Sequence, residues 1–456
     1  MSYCTTLIVN ESSKKIRRYD IDWLRVILFA LLIPFHVGIG VYWGAYDFVQ
    51  PEHEFEGEKN RDALNNELGE DVNNVYSFTG DTLISFILAW MHEWRLAALF
   101  MISGMGTAFA FKRRTWKLFL KERSKRLLIP MFVGIWTITP FTLMMATKYF
   151  PSSFLEGVIV YIGGGIVLTL LMIVPLLSRL ISLGHLWFIW SLFQYSLFLL
   201  PIFYLVRNYP EGKVARLLRG VFKIPLRLGP LLLLPLILSL SDVLFKPLMG
   251  EAIGFGYEWF WYLLTFLFGY IFIVNKEQYF EFIDNARIQI TIGTIITTLA
   301  FIFIKGKEAA SGVPYIGGGW AGDDYKHLGT GYHTSMTLIS CFVTSFHAWF
   351  WCLFIFTWGA KLLNKPSKHL AYLNQGVYPF YIVHQPIVYL VLILLLGKGY
   401  SDLLILIAGT LVVTLGCWIF FEIMKRHWIT RTMYGIKEIP NNKKTPSKTD
   451  TFIERN

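Results

Sequence analysis

The sequence predicts an all-α integral membrane protein with about ten transmembrane helices, one re-entrant or interfacial segment, and both termini in the cytoplasm. Two observations lead to this prediction. Of the 456 residues, 54% are hydrophobic and only 16% are charged, too few charged groups to cover a soluble protein of this length. Apolar windows of about 20 residues, enough to cross a hydrocarbon core, also recur along the chain.

The net charge of +11 comes from lysines and arginines in short segments between apolar runs. The positive-inside rule gives cytoplasmic loops this composition. The sequence has no zinc-finger spacing and no basic helix with base-reading side chains, so we exclude nucleic-acid binding. The four cysteines, Cys4, Cys341, Cys352 and Cys417, are too scattered for a disulfide framework.

Loop charge sets the predicted orientation. Residues 1–18 form a charged cytoplasmic segment, and the apolar run that follows is retained as a span because it lacks a signal-peptide cleavage site. Residues 47–81 form an acidic extracytoplasmic loop, whereas 112–126 is strongly basic and therefore cytoplasmic. Residues 19–430 form the membrane domain, and 431–456 form a polar cytoplasmic tail that we expect to be disordered.

The predicted spans cover 23–46, 82–111, 127–147, 186–206, 228–248, 257–275, 287–305, 335–360, 373–396 and 402–424. One more apolar segment, 157–177, is also long enough to cross. If it crossed, the basic stretch 207–227 and the basic tail would lie outside, against the positive-inside rule. The triple glycine at 163–165 offers a break, so we predict that 157–177 is re-entrant or interfacial.

The first span carries two polar side chains, Arg25 and His36, which are costly to place in lipid. Eleven residues at about 100° each make three turns plus about 20°, so both side chains face one direction, about 16 Å apart along the axis. With the N-terminus inside, Arg25 lies near the cytoplasm and His36 lies deeper. Asp22 shares the face of Arg25 and is a candidate partner. A snorkelling anchor and a hydrogen-bonded packing histidine are the structural alternatives.

The second span carries a polar cluster, His92, Glu93 and Arg95, about a third of the way in from its outer end. Charges within a span more often line a cavity than face lipid, although a structural ion pair between Glu93 and Arg95 fits the same residues. Ser103 and Gly104 further along are small enough for close helix packing.

Two more histidines lie in aromatic segments. His185 opens HLWFIWSLFQY, in which Trp187 fits either a substrate site or an aromatic belt. His384 lies midway along YPFYIVHQPIVYL, two residues before Pro386. A helix-breaking proline beside a mid-membrane histidine favours a widened polar pocket, with a packing histidine as the alternative. No carboxylate or cysteine spacing joins His36, His185 and His384, so we expect no metal.

These motifs together resemble the membrane acyltransferase-3 family. An arginine, ten residues and a histidine in the first span are its signature, present here as Arg25 and His36. The other matching motifs follow in the family's order: YDIDWLR, ALFMISG, RSKRLLIP at 123–130, HLWFIW and YPFYIVHQP. The resemblance runs from about 18 to 425. It is strongest to the glucan biosynthesis protein C (glucan succinyltransferase) branch, because no glutamate of the kind found in the O-antigen branch follows Trp190.

The resemblance implies an acyl-CoA-dependent enzyme of the cytoplasmic (inner) membrane. It would move an acetyl or succinyl group from cytoplasmic acyl-CoA, as donor substrate, to a hydroxyl of an extracytoplasmic carbohydrate or glucan, with no permanently bound cofactor. Its other partners are the carbohydrate acceptor and the lipid bilayer.

Residue roles follow from the resemblance and the predicted depths. His36 is the candidate general base. Arg25, with Asp22 beside it, is assigned to a CoA phosphate or the acyl carbonyl, and Arg123 and Arg126 to the nucleotide phosphates. A second group of assignments concerns the reacting groups and the acceptor: Arg95 for the oxyanion or a succinyl carboxylate, and Glu93, His185, Trp187 and His384 for substrate binding.

Two other classes remain open from the sequence. A secondary transporter of a small sugar or organic acid would share the spans and the midplane polar groups. A non-catalytic membrane scaffold would need Arg25, His36 and Arg95 for folding alone. The sequence names neither the acyl donor nor the acceptor glycan, and it leaves the oligomeric state undetermined.

Overall fold

The computed structural model describes residues 18–42, 82–147, 152–173, 184–249, 258–310 and 331–436. The acidic loop 47–81, nearly all of 1–18 and most of the tail 431–456 lie outside the described residues. The helices are α1 Asp20–Ala30, α2 Leu32–Tyr42, α3 Thr82–Lys112, α4 Trp116–Thr137, α5 Thr139–Thr147, α6 Phe154–Ile173, α7 Trp187–Phe198, α8 Leu200–Asn208, α9 Lys213–Gly220, α10 Leu234–Met249, α11 Glu258–Val274, α12 Lys276–Asn285, α13 Arg287–Ala310, α14 Gly331–Leu362, α15 Leu370–Leu395, α16 Asp402–Met424 and α17 Trp428–Met433.

The described residues form helices and short helical turns, with no β-strand. Seven stretches of them are long and apolar enough to cross a membrane, and nine if each of two bent helix pairs counts as one span. The prediction of an all-α membrane protein is therefore confirmed. The total of ten spans and the cytoplasmic placement of both termini stay predictions.

The first span packs against four neighbouring helices. Its two halves, α1 and α2, contact α3, α14, α15 and α16 between them. Three contacts fix the start of α1. The Tyr19 amide donates to Asn364 Oδ1 (3.0 Å), the Trp23 indole donates to the Lys365 carbonyl (3.3 Å), and Arg18 pairs with Asp20 (2.8 Å). Just over half of this span (56%) is buried against its neighbours.

Prolines explain where the predicted spans bend. A proline has no N–H to donate to the carbonyl four residues earlier. The predicted span 127–147 is divided at Ile138 into α4 and α5, because Pro140 leaves the Trp136 carbonyl without its helical donor. The Tyr161 hydroxyl donates to that carbonyl instead. The predicted span 186–206 is likewise the bent pair α7 and α8, with 47° between them, next to Pro201.

The predicted break at 163–165 is wrong, because α6 continues through all three glycines. Gly165 allows a close approach rather than a bend. A Cβ there would lie 2.7 Å from the indole ring of Trp136, so the glycine lets α4 and α6 pack closely. Nothing lies within 4 Å of a Cβ built at Gly163 or Gly164.

Glycine also brings α3 and α11 together. A Cβ at Gly104 would lie 1.9 Å from the Phe266 carbonyl oxygen, and one at Gly269 would lie 2.0 Å from the Met101 carbonyl oxygen. Both distances are impossible for real atoms, so the two backbones touch only because these residues have no side chain. The predicted packing role of Gly104 is confirmed.

We expect Gly104→Ala to destabilise the protein by about 1–3 kcal/mol, because the added methyl group must push two backbones apart. Thermal unfolding in detergent measures the effect, and the midpoint should fall by several degrees. Gly163→Ala is the matched control, since its added methyl group meets open space. Equal midpoints for the two variants would contradict the packing account.

Candidate functional site

The first span is broken at one residue, between its arginine and its histidine. The helix α1 ends at Ala30, Leu31 forms a turn, and α2 begins at Leu32. Pro34 contributes to the break, because it cannot donate to the Ala30 carbonyl. Arg95 of α3 supports the break from the side: its Nη1 donates to the Leu31 carbonyl at 3.4 Å.

The Arg95 side chain is almost fully buried, with 1% of its surface exposed. Its guanidinium carbon lies 3.9 Å from the centre of the Phe35 ring, the geometry of a cation–π contact. The His92 ring is stacked parallel to the same Phe35 ring, with 5.6 Å between centres. A fixed positive charge therefore lies beside the start of α2.

A cavity of about 90 Å³ lies against this face of the first span. It has room for several water molecules or a small polar group. Its lining combines four histidines, one arginine and one carboxylate with aromatic and aliphatic side chains: Leu32, Phe35, His36, Ile39, His92, Arg95, Leu96, His185, Trp187, Phe188, Glu258, Tyr262, Tyr381 and His384.

Three of the predicted histidines meet in this cavity. The His384 ring contacts the His36 ring, with 4.9 Å between centres, and the His185 ring, with 5.3 Å between centres. They come from α2, from the turn before α7 and from α15, so only the tertiary fold brings them together. Among the described residues, no group of three or more histidine, cysteine or acidic side chains has the arrangement of a metal site.

Backbone carbonyls orient all three histidines. The Nδ1 atom of His36 donates to the Leu32 carbonyl at 2.8 Å, and the Nδ1 atom of His384 donates to the Tyr381 carbonyl at 2.7 Å. The Nε2 atom of His185 donates to the Ile382 carbonyl at 2.8 Å. In a neutral ring that donates through one nitrogen, the other nitrogen carries a lone pair and can accept a proton.

Pro386 explains one of these bonds. It removes the helical donor to the Ile382 carbonyl, which is then available to His185 from another helix. The Nε2 atom of His384 is buried and has no hydrogen-bond partner among the described residues. A buried ring nitrogen of this kind, facing other histidines, is available for a bound group or a proton.

A second group of predicted residues lies outside this cavity. We call it the inner cluster, because the sequence predicts it nearer the cytoplasm, and it consists of Asp22, Arg25, Arg123 and Arg126. Arg25 Nη1 pairs with Asp22 Oδ1 at 3.2 Å, so the predicted partner is present. Arg25 also lies near Gly106 of α3, and a Cβ built there would be 3.7 Å from its Nη2 atom. About a third of the Arg25 side chain is exposed.

Arg123 joins this inner cluster. Its guanidinium donates to the Thr107 hydroxyl and lies within electrostatic range of Arg25, Arg126 and the Tyr378 hydroxyl. Burial lowers the pKa of Arg123 to about 10, with the neighbouring arginines contributing, so it remains a cation at neutral pH. Arg126 is exposed. The cluster presents converging guanidinium groups, which suit phosphate or carboxylate recognition.

The structure divides the predicted site residues between two places. His36, Arg95, His185, Trp187 and His384 line the cavity, whereas Asp22, Arg25, Arg123 and Arg126 lie in the inner cluster. Glu93 does not line the cavity, although its neighbour His92 does. Glu93 is within electrostatic range of Asp242 and Tyr262.

Sequence reasoning missed three cavity residues, Glu258, Tyr262 and Tyr381. Glu258 begins α11 and looks like an ordinary loop carboxylate at the end of an apolar run. The two tyrosines look like members of an aromatic belt. The sequence did carry a signal for the two tyrosines: each lies one or two turns inside a predicted span, whereas an aromatic belt lies at the span ends.

The sequence model of the acyltransferase-3 family, described as an acyltransferase domain, matches residues 18–422. No curated protein and no solved structure matches the chain. The family match covers both the cavity and the inner cluster, so the chain belongs to the acyltransferase-3 family and is a multi-pass membrane acyltransferase.

Proposed function

We propose that the protein transfers an acyl group from acyl-CoA in the cytoplasm to a hydroxyl of a carbohydrate outside the cytoplasmic membrane. One observation above all supports this proposal. A single helical span carries Arg25 of the inner cluster before its break and His36 of the cavity after it. A donor with phosphates and an acceptor with hydroxyls can thus approach one span from opposite sides.

The inner cluster fits the donor. CoA carries several phosphate groups, and Arg25, Arg123 and Arg126 offer guanidinium donors for them. The basic segment 112–126 adjoins this cluster, and the positive-inside rule assigns it to the cytoplasm, where acyl-CoA is available. Arg25 keeps part of its side chain accessible beside Asp22, as a binding group requires.

The cavity fits the acceptor and the chemistry. The acceptor hydroxyl loses its proton to His36 Nε2 as its oxygen attacks the thioester carbon, and the carbon–sulfur bond then breaks. The proton finally belongs to the CoA thiol, so the overall reaction neither takes up nor releases one. His384 and His185, whose rings follow that of His36, supply a route for the proton or orient the acceptor.

Arg95 and Glu258 complete the proposed site. Arg95 is a fixed cation beside His36 and can stabilise the oxyanion that forms at the thioester carbonyl, or bind the free carboxylate of a succinyl group. Glu258 and the neighbouring aromatic rings suit a sugar, whose hydroxyls donate to a carboxylate and whose carbon face packs on an aromatic ring. This composition supports the glucan-modifying branch and a succinyl or acetyl donor.

The experiment uses purified protein with radiolabelled acetyl-CoA and succinyl-CoA and a panel of neutral glucans. We expect label to pass to a glucan from one of the two donors. Family membership favours this outcome over a secondary transporter. If proteoliposomes instead take up a sugar or organic acid while no donor is consumed, the proposed reaction is wrong.

A further inference from the structure

Phe29 lies on the face of the first span that carries Arg25 and His36. It follows Arg25 by four residues and precedes His36 by seven, which are about one turn and two turns of helix. The side chain is partly buried and packs against the hydrophobic core. It therefore stands between the inner cluster and the cavity.

The Phe29 ring packs against two rings of the cavity wall. Its centre is 6.1 Å from the Phe188 ring and 6.0 Å from the Tyr381 ring, and the latter two centres are 5.7 Å apart. Phe188 and Tyr381 line the cavity, whereas Phe29 does not. The three rings form one aromatic layer, of which Phe188 and Tyr381 line the cavity and Phe29 lies on the Arg25 side of the break in the first span.

We propose that Phe29 is the residue that determines which acyl groups reach His36. The inference rests on the proposed function, because an acyl group that starts at Arg25 and reacts at His36 must cross this aromatic layer. The ring that moves aside determines how large an acyl group can pass. Its partner rings define the fixed side of the passage.

Phe29 is the least deeply buried ring of the three. Phe188 and Tyr381 are 4% and 6% exposed, and the Tyr381 hydroxyl donates to the His185 carbonyl. Phe29 has no polar atom with which to form such a bond, and it is less deeply buried. It also lies two residues before the turn at Leu31, where the regular helix is interrupted. In the proposed passage, a change of its side-chain rotamer opens the layer.

Accessibility of a single cysteine tests the passage without any turnover. His36→Cys places a thiol in the cavity, in a chain whose native cysteines are replaced by serine. A membrane-impermeant maleimide is added from the cytoplasmic side in inside-out vesicles, or from the opposite side in right-side-out vesicles. Labelling from the cavity side reports that the variant is folded.

With Phe29 present, we expect labelling from the cavity side only. With Phe29→Ala added, the rate from the cytoplasmic side should rise at least tenfold. Phe193→Ala is the matched control, because Phe193 is a partly buried ring on the same helix as Phe188 that stacks on Trp190 away from the cavity. Should the alanine variant lose cavity-side labelling, Phe29→Val takes its place.

Equal cytoplasmic labelling with and without the Phe29 ring overturns the proposal, and so does an equal gain from Phe193→Ala.

In the active chain, Phe29→Ala should raise the rate for butyryl-CoA relative to acetyl-CoA at least fivefold. Because the cysteine experiment needs no acyl transfer, it can succeed while the proposed reaction fails, and the two failures are distinguishable.

Discussion

Replacing His36 with glutamine is expected to lower acyl transfer by about 10²- to 10⁴-fold, the range of a lost general base. Glutamine fills most of the same volume and keeps a donor for the Leu32 carbonyl, but it cannot take a proton from a hydroxyl. The measurement is the initial rate of label transfer from acyl-CoA to the acceptor under saturating donor. The main fall should be in kcat.

A second buried histidine of the membrane region gives the control. His347 of α14 is fully buried and stacks on Phe301, with 4.2 Å between ring centres, and it does not line the cavity. His347→Gln should keep at least a third of the activity once the amount of folded protein is equalised. Full transfer by His36→Gln, or an equal loss in both variants, would refute the assigned role of His36.

Replacing Arg25 with glutamine is expected to reduce kcat/KM for the acyl-CoA donor by about 10- to 150-fold. This range corresponds to the loss of one hydrogen bond to a charged group, about 1.5–3 kcal/mol. The loss should appear mainly in the donor KM, whereas the acceptor KM should stay unchanged. Donor-concentration series at low and high salt measure it, and the difference between variant and parent should shrink as salt screens the charge.

Arg18, two residues before α1, offers the matched control. It pairs with Asp20 at 2.8 Å and lies over the Phe280 ring at 3.9 Å, so its charge is used in anchoring the start of α1. Arg18→Gln should lower thermal stability and leave the donor KM unchanged. A donor KM that rises equally in both variants would show that Arg25 acts through the placement of α1 and not through the donor.

The spans were predictable because, within lipid, a helix lets a single segment satisfy its own backbone hydrogen bonds. Every N–H and C=O in a hydrocarbon core must find a partner within the segment, so a long apolar run becomes a helix. The bends depend on individual prolines and on the groups that bond to the carbonyls they leave free. Pro140 and Pro201 are visible in the sequence, but the partner that takes each freed carbonyl, such as Tyr161 for Trp136, is fixed only by the tertiary fold.

The candidate site was predictable in part for a similar reason. A histidine within a span is costly and so stands out, and His36, His185 and His384 do meet. Of the neighbours His92 and Glu93, however, only His92 lines the cavity. The sequence does not say which one does, because that depends on the rotation of α3 against α11 at Gly104 and Gly269.

Another polar group escaped sequence reasoning altogether. Asp242 lies within the predicted span 228–248, is 7% exposed, and accepts a hydrogen bond from Ser345 at 3.1 Å. Ser345 in turn accepts one from the Trp261 indole at 3.2 Å. As a single acidic residue in a long apolar run, Asp242 stands out less than a cluster of charged residues does, although a carboxylate within a span is costly by itself.

The account's central claim is that donor and acceptor approach one span from opposite sides of the membrane. Proteoliposomes of uniform orientation test it directly, with labelled acyl-CoA supplied on one side only and the acceptor glucan supplied on the other. We predict transfer when the donor is on the side of Arg25 and Arg123 and the acceptor is on the side of the histidine cavity, and none in the reverse arrangement. Equal transfer in both arrangements, or transfer only in the reverse one, would contradict the account.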